Sequence, residues 1–173
     1  MQTHASGGRA HAEGSNTSAS GYDSHAEGRH TAAGGLCSHA EGEDTIASAN
    51  FSHAEGYSTK AYGTFCSHAE GYYTQASGDY SHVEGYYTSA NSPYQHVQGK
   101  YNISDAEEIY AHIVGNGDSS APSNAHTLDW DGNAWYAGTV ECTGIIMKSS
   151  TSGSTKKFKI TVDDSGTLTA TAI

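Results

Sequence analysis

The chain has 173 residues, room for one ordinary domain or two small ones. Its net charge of −11 repels phosphate backbones, and the small Lys156, Lys157 and Lys159 cluster does not reverse this, so nucleic acid is not an expected partner. No apolar run is long enough to span a bilayer and no basic-then-apolar leader opens the chain, so membrane insertion and a secretory route are not expected either.

From the N-terminus the chain is a repeat. SHAEG stands at 24–28, 38–42, 52–56 and 67–71, becomes SHVEG at 81–85, and fades to QHVQG at 95–99. His11, His25, His39, His53, His68, His82 and His96 follow one another at 14, 14, 14, 15, 14 and 14 residues. Each unit contains a half-period of seven, with a small residue at Ala12, Ala19, Ala26, Ala33 and onward, and usually a glycine two places later. A coiled coil would need large apolar residues at two places per heptad and would not tolerate a glycine in each. The half-unit instead alternates: Ser, Ala and Gly on one face, His and Glu on the other, which is a strand pattern. Two short strands per 14-residue coil, stacked at fixed spacing, predict an all-β parallel β-solenoid. Triplets such as Gly28-Arg29-His30 and Gly56-Tyr57-Ser58 are the expected turns.

So thin a coil holds only Ser, Ala, Thr and Gly, and each methyl-sized group buried contributes under about 1 kcal/mol. That weakness predicts packing against further copies of the chain. The row Thr17, Thr31, Thr45, Thr59, Thr74 and Thr88 is expected inside. Cys37, Cys66 and Cys142 form no CxxC and are expected as free thiols acting as small buried apolar residues. Cys37 and Cys66, two coils apart, would stand about 10 Å from each other, beyond disulfide reach.

The run of [S/T]-x-A-x-G half-units over residues 4–99 resembles the head domain of trimeric autotransporter adhesins. That resemblance implies a left-handed parallel β-roll and a homotrimer. In the adhesins the outward places of one strand often carry Val and Ile toward neighbouring subunits; here they carry His and Glu, such as His39 and Glu41.

The SHAEG strand barely varies along the chain, whereas the outer places of the other strand hold Ser18, Ile46, Lys60, Tyr62 or Gln75. A packed face restricts its residues more than a solvated one. The ladder of His25, Glu27, His39, Glu41, His53, Glu55, His68, Glu70, His82 and Glu84 is therefore the expected trimer-facing surface. Glutamates stacked about 4.8 Å apart repel by roughly 3 kcal/mol at an effective dielectric near 20, so histidines, expected here from a neighbouring chain, have to relieve them. A solvated ladder and a metal-binding stack are the competing readings; without HExxH or His-x-His spacing, no metal and no cofactor is expected. Catalysis needs one special site, and six copies of one pair do not provide it. Tyr57, Tyr72, Tyr73, Tyr86 and Tyr87 gather at the turn after the SHAEG strand and are candidate contacts for a surface glycan or protein. The competing reading is a solvated aromatic ladder that stiffens the turns.

The repeat fades at Pro93. KYNISDAEEIY (100–110) reads as a linker or a single helical turn, AHIVGNG (111–117) as a strand, and GDSSAPSN (117–124) as a loop. AHTLDWDGNAWYAG (125–138) is a hairpin about Asp131-Gly132, FKITVDDSGTLTAT (158–171) another about Asp164-Ser165-Gly166, and TSGST (151–155) a loop. DWDGN lacks the later ligands of a calcium loop and reads as a turn. The expected division is a β-roll at 1–100, a connector with one strand at 101–124, and a small C-terminal β-hairpin domain at 125–173.

Residues 110–173 resemble segments of tail and tail-fibre proteins of phages and prophages of Gram-positive bacteria. The two resemblances together imply a non-enzymatic trimeric structural or receptor-binding component of a tail, on a virion or an extracellular surface. A cell-surface adhesin head fragment is the alternative, and a glycan-cleaving tail spike a more distant one.

Overall fold

The structure is a computed structural model that describes residues 2–141, 145–148, 155–163 and 165–172. Among them there is no helix, so none long and apolar enough to cross a membrane. In chain order the strands are β1 (His4–Ala5), β2 (His11–Ser15), β3 (Ser18–Ala19), β4 (His25–Arg29), β5 (Ala32–Ala33), β6 (His39–Glu43), β7 (Ile46–Ala47), β8 (His53–Tyr57), β9 (Lys60–Ala61) and β10 (His68–Tyr72). They continue as β11 (Gln75–Ala76), β12 (His82–Tyr86), β13 (Ser89–Ala90), β14 (His96–Lys100), β15 (Tyr110–Asn116), β16 (Asn124–Asp129), β17 (Ala134–Tyr136), β18 (Ile145–Lys148), β19 (Lys157–Val162) and β20 (Leu168–Ala172).

The odd-numbered strands β1 to β13 form one seven-stranded parallel sheet. The even-numbered strands β2 to β14 form the other, so the chain winds as a parallel β-solenoid. Pairing is in register: His25 opposes His39, Ala26 opposes Ala40, and Glu27 opposes Glu41. The coil with one extra residue keeps that register, with His53 opposite His68. The extra residue is absorbed at the turn through Gly63, Thr64 and Phe65, where Phe65 bridges to Asn50.

The core is as thin as its composition requires. Ala19, Ala26, Ala33, Ala40, Ala47 and Ala54 are fully buried, and the threonine row is buried with them. Toward the C-terminal end the same column enlarges to Val83, Val97 and Ile113, each 0 % exposed. The serine that opens each unit is buried for a further reason. The Ser24, Ser38 and Ser81 hydroxyls donate to the carbonyls of Gly21, Gly35 and Gly78, three residues back, which ties down the preceding turn.

Three expectations need correction. The two strands of a coil are unequal: the long one runs from His25 to Arg29, one residue later than the alternation suggested, and its partner covers only Ala32 and Ala33. Glycine in the long strand does not face inward. Gly28 and Gly42 have φ of +106° and +105°, which L side chains rarely adopt, and this bends the strand out at its end. The cysteines are also not buried: Cys37 and Cys66 are exposed free thiols. Both occupy left-handed turn positions, φ 51° and 49°, whose side chains leave the corner rather than enter the core. Cys142 lies outside the described residues.

Residues 101–109 form no helical turn. β15 pairs in parallel with β14 as a further coil, His112 opposite His96 and Gly115 opposite Gly99. The 125–138 hairpin is present as β16 and β17, antiparallel, and it completes the roll's ten-stranded sheet rather than standing apart. At its turn Asp129 accepts hydrogen bonds from the Asn133 backbone and side-chain amides, as a turn does.

The chain divides into two compact units, the second beginning at Gly138. That second unit contains an antiparallel sheet, β18-β19-β20. The expected second hairpin is β19–β20, with Asp163 accepting from the backbone amides of Ser165 and Thr167. Asp164 and most of the 151–155 loop lie outside the described residues.

Candidate functional site

In-register parallel strands place identical side chains one above another, so the repeat becomes two ladders on the outer face of the long strands. The imidazoles stack face to face: His25–His39 at 4.8 Å and 2°, His39–His53 at 4.8 Å and 3°, His68–His82 at 4.7 Å and 2°. The enlarged coil loosens the column only slightly, His53–His68 at 4.9 Å and 12°. His96 and His82 continue it at 4.8 Å, and His112 and His126 extend it with tilted rings. Those last two histidines were not anticipated. The signal was present: HIVG at 112–115 repeats the H-x-x-G of HAEG, sixteen residues after His96, with Val in place of Glu.

The glutamate that His25, His39, His53, His82 and His96 each reach belongs to the same chain, one coil earlier. His53 Nε2 is hydrogen-bonded to Glu41 at 3.2 Å; His39 lies 3.5 Å from Glu27, His96 3.7 Å from Glu84, and His82 4.0 Å from Glu70. This diagonal pairing relieves the like-charge column inside one chain. The Nε2 atoms of His25, His39, His68, His82 and His96 are shut off from solvent and make no hydrogen bond.

Titration divides along the ladder. Burial, then the neighbouring rings, holds His68 and His82 below 6.5. Their contribution to stability is therefore present above 6.5 and is lost as pH falls through their folded values. Glu70 is pushed up to about 7, first by its hydrogen bond with Glu55, then by burial and by Glu84. The same bond is the first cause of the lowered pKa of Glu55, so the two carboxyls share one proton between neighbouring coils.

A raised folded pKa means that this stabilisation is full below 4.5 and is lost as pH rises through about 7. The amide of glutamine would donate at every pH. Glu70→Gln is accordingly expected to match the parent at pH 5 and to exceed it at pH 8, by no more than about 1 kcal/mol for so exposed a pair. Urea unfolding at the two pH values reads this directly. A variant weaker than the parent at pH 8 would contradict the shared proton.

The turn after the long strand carries the second feature. In the early coils it holds ion pairs between successive coils, Arg29 with Glu43 and His30 with Asp44. In the later coils it becomes aromatic. Tyr57, Tyr72 and Tyr86 form one column at 4.9 and 5.0 Å; Tyr73, Tyr87 and Tyr101 form a second at 4.7 and 5.0 Å. The columns meet edge to face, Tyr72 with Tyr73 and Tyr86 with Tyr87, both at 4.9 Å. Ring faces are thus covered by neighbouring rings, and the corner presents ring edges to solvent. The opposite corner has its own column, Phe65, Tyr80 and Tyr94, which sequence reasoning missed because Phe65 stands one place earlier in its unit than Tyr80 and Tyr94 do in theirs.

Nothing matches the chain in comparisons with protein-family models, curated proteins and solved structures, so the site rests on its own residues.

Proposed function

We propose that this chain is a non-enzymatic structural and attachment component of a phage or prophage tail, a homotrimer acting at a virion or extracellular surface. The observation that carries the reading is the paired tyrosine columns: one chemical feature repeated about every 4.8 Å on an in-register stack. A repeated feature on a stiff support binds a repeated ligand by avidity, with no single tight site needed. The fully buried alanine column supports the trimer, since a core of methyl groups contributes little per coil and favours packing against further copies. The solenoid serves an adhesin head equally well; the resemblance of residues 110–173 to tail proteins favours the tail.

Binding of the full chain to immobilised cell-wall glycans and surface proteins of Gram-positive bacteria tests this. Retention on at least one of them is expected. Tyr72→Ala with Tyr87→Ala should weaken that retention at least about tenfold, because each lost contact is multiplied across the assembly. Lys60→Ala, on the opposite sheet, should not. Absence of binding to any fraction would overturn the attachment role, and release of glycan fragments would replace it with an enzyme.

A further inference from the structure

We propose that the histidine–glutamate face binds first-row divalent transition-metal ions of the Zn²⁺ type, each held by a three-residue cluster of imidazole nitrogens and carboxylate oxygens from successive coils. This does not depend on where the chain acts.

Register builds the donor sets. His25, Glu27 and His39 bring one ligand atom each within 4.8 Å of one another, and so do His39, Glu41 and His53. His11, Glu13 and His25 repeat the set toward the N-terminus; Glu55, His68 and Glu70 form a set with the composition reversed. Imidazole mixed with carboxylate suits Zn²⁺, Ni²⁺ and Co²⁺, whereas an all-oxygen set would suit Mg²⁺ or Ca²⁺. Two donors at about 2.1 Å on a tetrahedral ion stand about 3.4 Å apart. The His53–Glu41 and His39–Glu27 separations, 3.2 and 3.5 Å, already have that value. In these two clusters only the second imidazole has to swing inward.

Two further features favour an ion. The Nε2 atoms of His25, His39 and His68 make no hydrogen bond, so coordination there displaces no existing bond. A trough of about 340 Å³ also runs along the glutamates, walled by Glu55, Glu70 and Glu84 and floored by Gly56, Gly71 and Gly85. Glycine places no side chain there, which leaves room for an ion beside the carboxylates.

Sharing sets the stoichiometry. His25 and His39 each belong to two clusters and cannot serve both at once. The clusters without a common residue are His11/Glu13/His25, His39/Glu41/His53 and Glu55/His68/Glu70, three ions per chain among the described residues.

Calorimetric titration of the untagged full chain with ZnCl₂ at neutral pH tests the proposal, with Co²⁺ absorption as a second readout of coordination. Binding of two to three ions per chain, at a Kd of about 10 μM or tighter, is expected. His39→Gln with His53→Gln should remove about one ion from the stoichiometry, and Glu41→Gln should weaken that site at least about tenfold. Lys60→Gln should change neither. Circular dichroism of each variant separates lost binding from lost fold; should the double variant unfold, Glu41→Gln decides. Absence of binding up to about 1 mM Zn²⁺, or a titration identical in parent, double variant and Glu41→Gln, overturns the proposal.

Discussion

Gly42→Ala is expected to unfold the roll around its coil, whereas Gly34→Ala leaves stability unchanged or slightly raised. The two glycines are eight residues apart and look alike in composition. A Cβ at Gly42 would lie 2.2 Å from the carbonyl oxygen of Gly56, on backbone held at φ +105°. Neither the contact nor the dihedral can relax, because Gly56 is fixed in turn by Gly71 above it, at the same dihedral and the same 2.2 Å approach. Strain and overlap together should cost about 3 kcal/mol or more. At Gly34 the nearest atoms are Ser20 Oγ at 3.8 Å and Ser48 Cα at 3.9 Å, ordinary contact. Alanine there adds no clash and restricts the unfolded chain, a gain of up to about 1 kcal/mol. Urea unfolding followed by circular dichroism compares them. Because coils contact only their neighbours, a split transition for Gly42→Ala is also consistent with this reading. Equal midpoints for the two variants would contradict it.

The second large effect is expected in the alanine column. Ala54→Leu places three more carbons between two sheets whose facing residues, Ala54 and Ala61, are both 0 % exposed. Overpacking generally costs about 1–3 kcal/mol, and a space fixed on both sides by ladder hydrogen bonds should put this variant at the upper end. Val83→Ala, in the same column, tests the opposite change. It removes two methyl groups, worth about 1.5 kcal/mol of transfer free energy. Midpoints from the same urea series decide. Tolerance of leucine at 54 would mean that the interior is wider than the alanines imply.

Much of this was legible in the sequence because parallel in-register stacking turns a linear period into a spatial column. The period of fourteen, the alternation at Ser24-His25-Ala26-Glu27 and the identity of the inner residues all survive in the structure. The misreadings share a cause: a small residue has more than one use. Ala26 is small because the core is thin, but Gly28 is small because its backbone needs positive φ beside Gly42. Cys37 is small and apolar, yet its turn geometry turns it outward. Periodicity alone does not distinguish these uses. The coil at β15 was read as a strand but not as a coil, because the segment between Lys100 and Tyr110 interrupts the spacing and Val114 replaces the glutamate. At the site, stacking of the histidines and tyrosines followed from register, but the diagonal reach from each histidine to the preceding coil's glutamate depends on side-chain direction, which spacing does not contain.

The trimer built on the histidine–glutamate face is the claim on which the attachment role depends, and sedimentation equilibrium at neutral pH tests it most directly. The account predicts a species of three times the 18.1 kDa chain, about 54 kDa. It further predicts that His53→Ala shifts this species toward monomer while Lys60→Ala, on the other sheet, leaves it intact. A parent chain that sediments as a monomer at all concentrations would contradict the trimer. A trimer weakened equally by the two substitutions would contradict the placement of the ladder at its interface.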